Sequence, residues 1–174
     1  MSSPDAIVRC TNCNFEQRWE HKPIILCYLL DDDRNVESHR VQAWCSSCEK
    51  MTSAEHLPSI EELAEEVRKH AHEPGVLSTL LAALTWRAAR RRAPRCLSCG
   101  SSAVQPIEWR PIDAPKDPEF DCPVSVAAGF RHTCSGLLLR RYDRSMYTEW
   151  ATTRILLSTE GDVLAEEDVD DEIT

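Results

Sequence analysis

At 174 residues, with 42% hydrophobic residues and only three Phe and three Tyr, the chain has room for one ordinary domain or two small ones. Its longest apolar runs, at 24–30 and 76–84, fall far short of the ~20 residues a bilayer crossing needs, so no membrane partner is expected. The formal net charge of −9 is uneven, because residues 160–174 carry eight acidic and no basic side chains and leave the rest of the chain near neutrality. A near-neutral body in a chain whose overall sequence pI is about 5.1 lacks the basic footprint of most nucleic-acid binders.

Nine cysteines stand out in a chain of this size. Modules of some fifty residues bury too little surface to be stable without a staple. The opening Met1-Ser-Ser-Pro-Asp-Ala has no secretory pattern, the cysteine count is odd, and most of the thiols come in x₂-spaced pairs. These features point to metal ligation in a reducing, cytoplasmic setting rather than to disulfides.

Residues 1–58 read as the first β-rich module. Strand patterns at 15–19, 24–30 and 41–44 surround an acidic turn at 31–35. Cys10-Thr-Asn-Cys13 and Cys45-Ser-Ser-Cys48, 31 residues apart, can supply four thiolates to one tetrahedral Zn²⁺. Cys27 lies inside the apolar run and reads as a core residue. A helical hairpin follows at 59–93. Ser59 and Glu62 form a capping box, and Ile60, Leu63 and Val67 make one apolar face. Pro74-Gly75 breaks the pattern, and a second helix carries Leu77, Leu80, Leu81, Leu84 and Ala88 at helical spacing.

Residues 94–159 read as a second module. Cys96-Leu-Ser-Cys99 and, after 32 residues, His132-Thr-Cys134 offer a second metal site. Cys122 is the alternative to His132 as fourth ligand, since His132 and Cys134 can bind together only if 132–134 turns. Residues 153–165 read as a hairpin around Gly161, and 160–174 as the hairpin end with an acidic tail.

The ligand spacing of residues 8–50 is similar to that of the zinc-ribbon class. The resemblance implies two cysteine turns, or knuckles, clamping a structural zinc ion. A glycine often follows such a knuckle; here Asn14 and Glu49 occupy those positions, whereas Gly100 follows the third pair. The expected architecture is therefore α+β: two small zinc-ribbon-like β modules flanking a central helical hairpin, with two structural Zn²⁺ ions and an acidic C-terminal tail.

Motifs for catalysis are missing. No His or Cys is followed by x-Glu as a zinc deaminase requires, His72-Glu73 runs into Pro74 rather than completing His-Glu-x-x-His, and five glycines in the whole chain leave no phosphate loop. No small-molecule substrate is inferred. Arg87, Arg90, Arg91, Arg92 and Arg95 cluster at the end of the second helix, where cations complement the helix dipole or form an interaction patch. The acidic stretch is a candidate to fold back onto that patch. The expected function is a protein-interaction module such as an adaptor, inhibitor or assembly subunit; nucleic-acid binding through the arginines is the alternative.

Overall fold

The computed structural model describes residues 2–19, 22–30, 34–111, 125–127, 130–149 and 152–169. In chain order the elements are β1 (Ser2–Cys10), β2 (Glu16–Trp19), β3 (Ile24–Leu29), β4 (Asn35–Cys45), β5 (Lys50–Glu55), α1 (Ile60–Lys69), α2 (Pro74–Ala89), β6 (Val104–Pro106), β7 (Trp109–Pro111), β8 (Ser125–Ala127), β9 (Leu138–Glu149), β10 (Thr152–Leu157) and β11 (Val163–Val169). The class is α+β. Among the described residues no helix is long and apolar enough to cross a membrane.

Both sheets take strands from both halves of the chain. The first runs β2-β1-β9-β8-β7, antiparallel throughout, with Cys10 opposite Leu138 and Ala6 opposite Tyr142. The second runs β11-β10-β3-β4-β5, and β6 pairs with the far end of β4. Its one parallel pairing sets Thr153 to Leu157 beside Ile24 to Tyr28. Strands from the two segments expected as separate β modules thus lie side by side in both sheets. The acidic turn at 31–33, most of the 110–123 loop with Cys122, and residues 170–174 lie outside the described residues.

Apolar alternation explains how the strands face their cores. On β10 Thr153, Ile155 and Leu157 are buried while their neighbours are half-buried, the period-two pattern of a sheet with one covered face. One core, between the first sheet and the β4–β5 end of the second, gathers Ala6, Val8, Trp19, Trp44, Met51, Ile107, Phe130 and Leu138. The other gathers Leu26, Tyr28, Val36, Ile155 and Leu157 under Leu63 of α1 and Ala83 and Trp86 of α2.

The capping box forms as its sequence dictates: the Glu62 amide donates to the Ser59 hydroxyl at 3.0 Å, and the Ser59 amide donates to the Glu62 carboxylate at 2.8 Å. Pro74 does more than interrupt, since it occupies the first turn of α2, where its missing N–H costs nothing. The face that α2 buries also differs from its leucine stripe. Ala82, Ala83 and Trp86 point inward, while Leu81 is 45% and Val76 42% exposed. The small alanines let the helix sit close to the sheet, and Trp86 fills the space, stacking 4.4 Å from the Tyr28 ring and donating its indole N–H to the Thr159 carbonyl.

One turn further along, Arg90 is drawn into the interior. Its Nη2 contacts both oxygens of Glu55 at 2.9 and 2.8 Å, and both side chains are wholly buried. The Tyr28 hydroxyl and the Arg95 amide also donate to Glu55. Burial together with the Glu55 charge pushes the Tyr28 hydroxyl pKa well up, so the phenol remains a donor. Gly161, at φ +83°, lies so near that an added Cβ would collide with Glu55 and Arg90. A buried charge that loses its partner is strongly destabilising. Arg90→Leu and Glu55→Ala are each expected to lower stability by about 3–5 kcal/mol, measured by denaturant unfolding, and Gly161→Ala should destabilise by forcing that pair apart.

Candidate metal centres

The structure brings all eight expected ligands into two clusters, but crosses their pairing. Cys10 and Cys13 join His132 and Cys134, while Cys45 and Cys48 join Cys96 and Cys99; within each group the donor atoms lie within 4.8 Å of one another. The sequential quartets, Cys10/Cys13/Cys45/Cys48 and Cys96/Cys99/His132/Cys134, do not form. The reason lies in strand pairing. Cys10 ends β1 opposite Leu138 at the start of β9, so the knuckle after β1 meets the turn before β9. Cys45 ends β4 opposite Val104 of β6, so the knuckle after β4 meets the knuckle before β6.

In the first cluster residues 132–134 do turn, with the Ser135 amide donating to the His132 carbonyl at 2.7 Å. His132 and Cys134, only two residues apart, thereby converge, His132 presenting Nδ1 at 3.2 Å from the Cys134 sulfur and 3.5 Å from that of Cys13. Phe15 packs 4.9 Å from the imidazole and Trp44 meets it edge-on at 5.2 Å. The two turns are tied by their backbones: the Thr11 amide donates to the Leu137 carbonyl, the Leu137 amide to the Thr11 hydroxyl, and the Asn12 side-chain amide to the Cys134 carbonyl.

The second cluster is built from two similar knuckles. After each, the chain takes a left-handed step, at Glu49 (φ 51°) and Gly100 (φ 72°). Glycine does this freely, whereas Glu49 does it against a steric penalty. Ser135 makes the same step after Cys134 (φ 66°). Cys45 and Cys96 are buried and Cys99 is exposed. The Gly100 amide closes its knuckle on the Cys96 carbonyl at 2.8 Å, and the Ser47 and Ser101 hydroxyls link the two turns at 2.8 Å.

These spacings match a tetrahedral shell. Bonds of about 2.3 Å to sulfur and about 2.0–2.1 Å to nitrogen place two sulfurs ~3.8 Å apart and a sulfur and nitrogen ~3.6 Å apart. The sulfur pairs Cys45–Cys99 and Cys48–Cys96 are separated by 3.7 and 3.9 Å, and Cys10–Cys134 by 3.3 Å. Both groups could therefore hold a metal ion.

The thiol acidities carry the same message. Cys134 is held down at about 6, first by its bond to His132 and then by the Gly136 amide, while Cys13 is raised as burial and the neighbouring thiols outweigh a bond from the Phe15 backbone. At Cys96 burial opposes ionisation, but the Thr52 hydroxyl and the Cys99 and Ser98 amides bring it to about 6. Cys48, crowded first by Cys99, rises to about 12. Some thiols ionise at the expense of others, and a dication would let all ionise together.

Cys27 is buried on β3 in neither cluster, and burial raises its pKa. The arginine cluster is largely engaged within the fold. Arg87 donates to the Pro58 carbonyl, Arg90 is consumed by Glu55, and Arg92 and Arg95 reach Asp162 at 3.3 and 3.0 Å. The acidic stretch does reach these arginines, through Glu160 and Asp162, but residues 163–169 continue as β11. Sequence reasoning missed Gly136, where a Cβ would meet the Cys10 sulfur and the Asn12 backbone; its place two residues after Cys134 was the available signal. It also missed Glu55, which no local pattern marks.

The chain matches no known protein family, no curated protein and no solved structure.

Two measurements test the crossed arrangement. By elemental analysis, the double variant Cys10→Ser/Cys134→Ser should retain one metal ion per chain, whereas Cys10→Ser/Cys45→Ser should retain none; sequential pairing would reverse the two results. Gly136→Ala should selectively weaken metal retention at the first cluster, read by competition with a chromogenic chelator, and leave the second unchanged.

Proposed function

We propose that this chain is a non-catalytic protein-interaction module whose scaffold is stapled by two structural Zn²⁺ ions, working in a reducing, cytoplasmic setting. The observation that carries the reading is the composition of the two clusters: three sulfurs and an imidazole in one and four sulfurs in the other. Such shells suit tetrahedral zinc and fill its coordination with protein donors, leaving no position for a substrate or an activated water. The metal then belongs to the scaffold.

The outward side of the helical hairpin supports the choice of a protein partner. Val76 and Leu81 of α2 and Ile60 of α1 are each more than 40% exposed, and Leu77 and Leu80 are partly exposed along the same helix. Apolar residues at this spacing suit a helix that packs into a partner's groove. The nucleic-acid alternative is less favoured: phosphates would have to displace Glu160 and Asp162 from Arg92 and Arg95.

The test compares the wild-type chain with Val76→Asp/Leu81→Asp in affinity capture, with and without nuclease. Wild type should recover one stoichiometric protein in a nuclease-resistant manner, and the variant should lose it while keeping two zinc ions per chain. Equal recovery by both, or a captured species that nuclease removes, would overturn the reading.

A further inference from the structure

A second surface carries chemistry of another kind. Between β2 and the face formed by β3, β5, β10 and β11 lies a cleft of about 380 Å³, bordered at one end by the Cys96–Cys99 knuckle. That is within the size range of small-molecule sites. Arg18, Lys22, Arg40 and Lys50 line it against one carboxylate, Glu166. In a chain of net charge −9 this is a local inversion of sign.

Arg40 sits at its centre. Its guanidinium donates to the Ser53 hydroxyl at 2.6 Å and to the Lys22 carbonyl, and lies 5.3 Å from the centre of the Trp19 ring. These partners satisfy N–H groups without supplying negative charge, and among the described residues no carboxylate pairs with Arg40. Burial alone pushes its pKa down, the mark of a cation removed from water without a counter-ion. The nearest charge pair, Lys22 with Asp168, spans 3.4 Å at the surface and is weak. Trp19 lines the same cleft, is only 6% exposed, and has an indole N–H that meets no acceptor among the described residues. A buried donor left unpaired is uncommon.

We propose that this cleft binds a small phosphomonoester of mononucleotide size, with Arg40, Lys22 and Lys50 as counter-charge to the phosphate and the Ser53 and Ser98 hydroxyls as further donors. Guanidinium suits this role because its planar fork matches phosphate oxygens. The site is separate from the outward face of α2 and does not depend on the protein partner proposed for that face.

The experiment titrates the zinc-loaded full chain with inorganic phosphate, with adenosine monophosphate and with a single-stranded oligonucleotide. It follows the Trp19 indole N–H resonance, assigned by Trp19→Phe. Phosphate and the nucleotide should shift that resonance saturably, with affinity falling as salt rises. Lys22→Gln/Lys50→Gln, which keeps the Lys22 carbonyl that Arg40 binds, should weaken binding about tenfold; Arg40→Gln should weaken it further. Should Arg40→Gln unfold, the lysine variant still decides. The proposal is overturned if neither small ligand moves the resonance, if the lysine variant binds as tightly as wild type, or if only the oligonucleotide binds.

Discussion

The architecture depends on antiparallel pairing between strands that are far apart in sequence. A tetrahedral shell tolerates donor separations near 4 Å and nothing much longer, and each shell here is assembled from turns on opposite halves of the chain. Cys10 and Cys134 are 124 residues apart, Cys45 and Cys99 54. The registers β1–β9 and β4–β6 set those meetings, and the metals in turn would lock the registers. Neither pairing could slip by one residue without turning a cysteine to the other face. Trp44 connects the two centres, because it precedes Cys45 on β4 while its ring lies against His132.

At the other end of the second sheet, stability has a different source. The layer of α1 and α2 is held by apolar packing, by the Trp86 indole bond to Thr159 and by the buried pair of Arg90 and Glu55. That pair collects donors from Tyr28 on β3, from the chain after α2 and from Arg90 itself, so three segments converge on one carboxylate. A well-packed apolar pair would be no less stable. What the charges supply is direction, since they anchor the end of α2 whose Ala82, Ala83 and Trp86 face the sheet while Leu81 stays exposed.

Local chemistry was legible in the sequence and long-range geometry was not. The x₂ spacing of the cysteine pairs picked out six of the eight residues that gather in the two clusters, and His132 and Cys134 completed the set, because donor type and turn geometry are properties of a few consecutive residues. Ser59 with Glu62, and the hairpin around Gly161, were legible for the same reason. Which knuckle meets which is a property of strand pairing across long stretches of chain, 124 residues for Cys10 and Cys134 and 54 for Cys45 and Cys99, and the local pattern of the two halves suggested two self-contained modules instead. The helix α2 misled in another way: its leucines give the stronger periodicity, but the close approach that alanine permits and the ion pair available to Arg90 outweighed them. The cluster of arginines read as one patch, yet Arg87 is held by the Pro58 carbonyl, Arg90 by Glu55, and Arg92 and Arg95 by Asp162.

The crossed shells also have a consequence for how the chain reaches its fold. During synthesis Cys10, Cys13, Cys45 and Cys48 emerge together, long before Cys134 exists, and the loop between the first two pairs is 31 residues. Closing that loop is easier by about 1 kcal/mol than closing the one from Cys13 to His132, since closure entropy grows with the logarithm of loop length. A quartet of the wrong composition would therefore be the more easily closed one for a nascent chain that met a metal ion early. Escape from it requires ligand exchange as β9 arrives to pair with β1. For a metal-loaded fold, the moment at which the ion arrived would then matter as much as its presence.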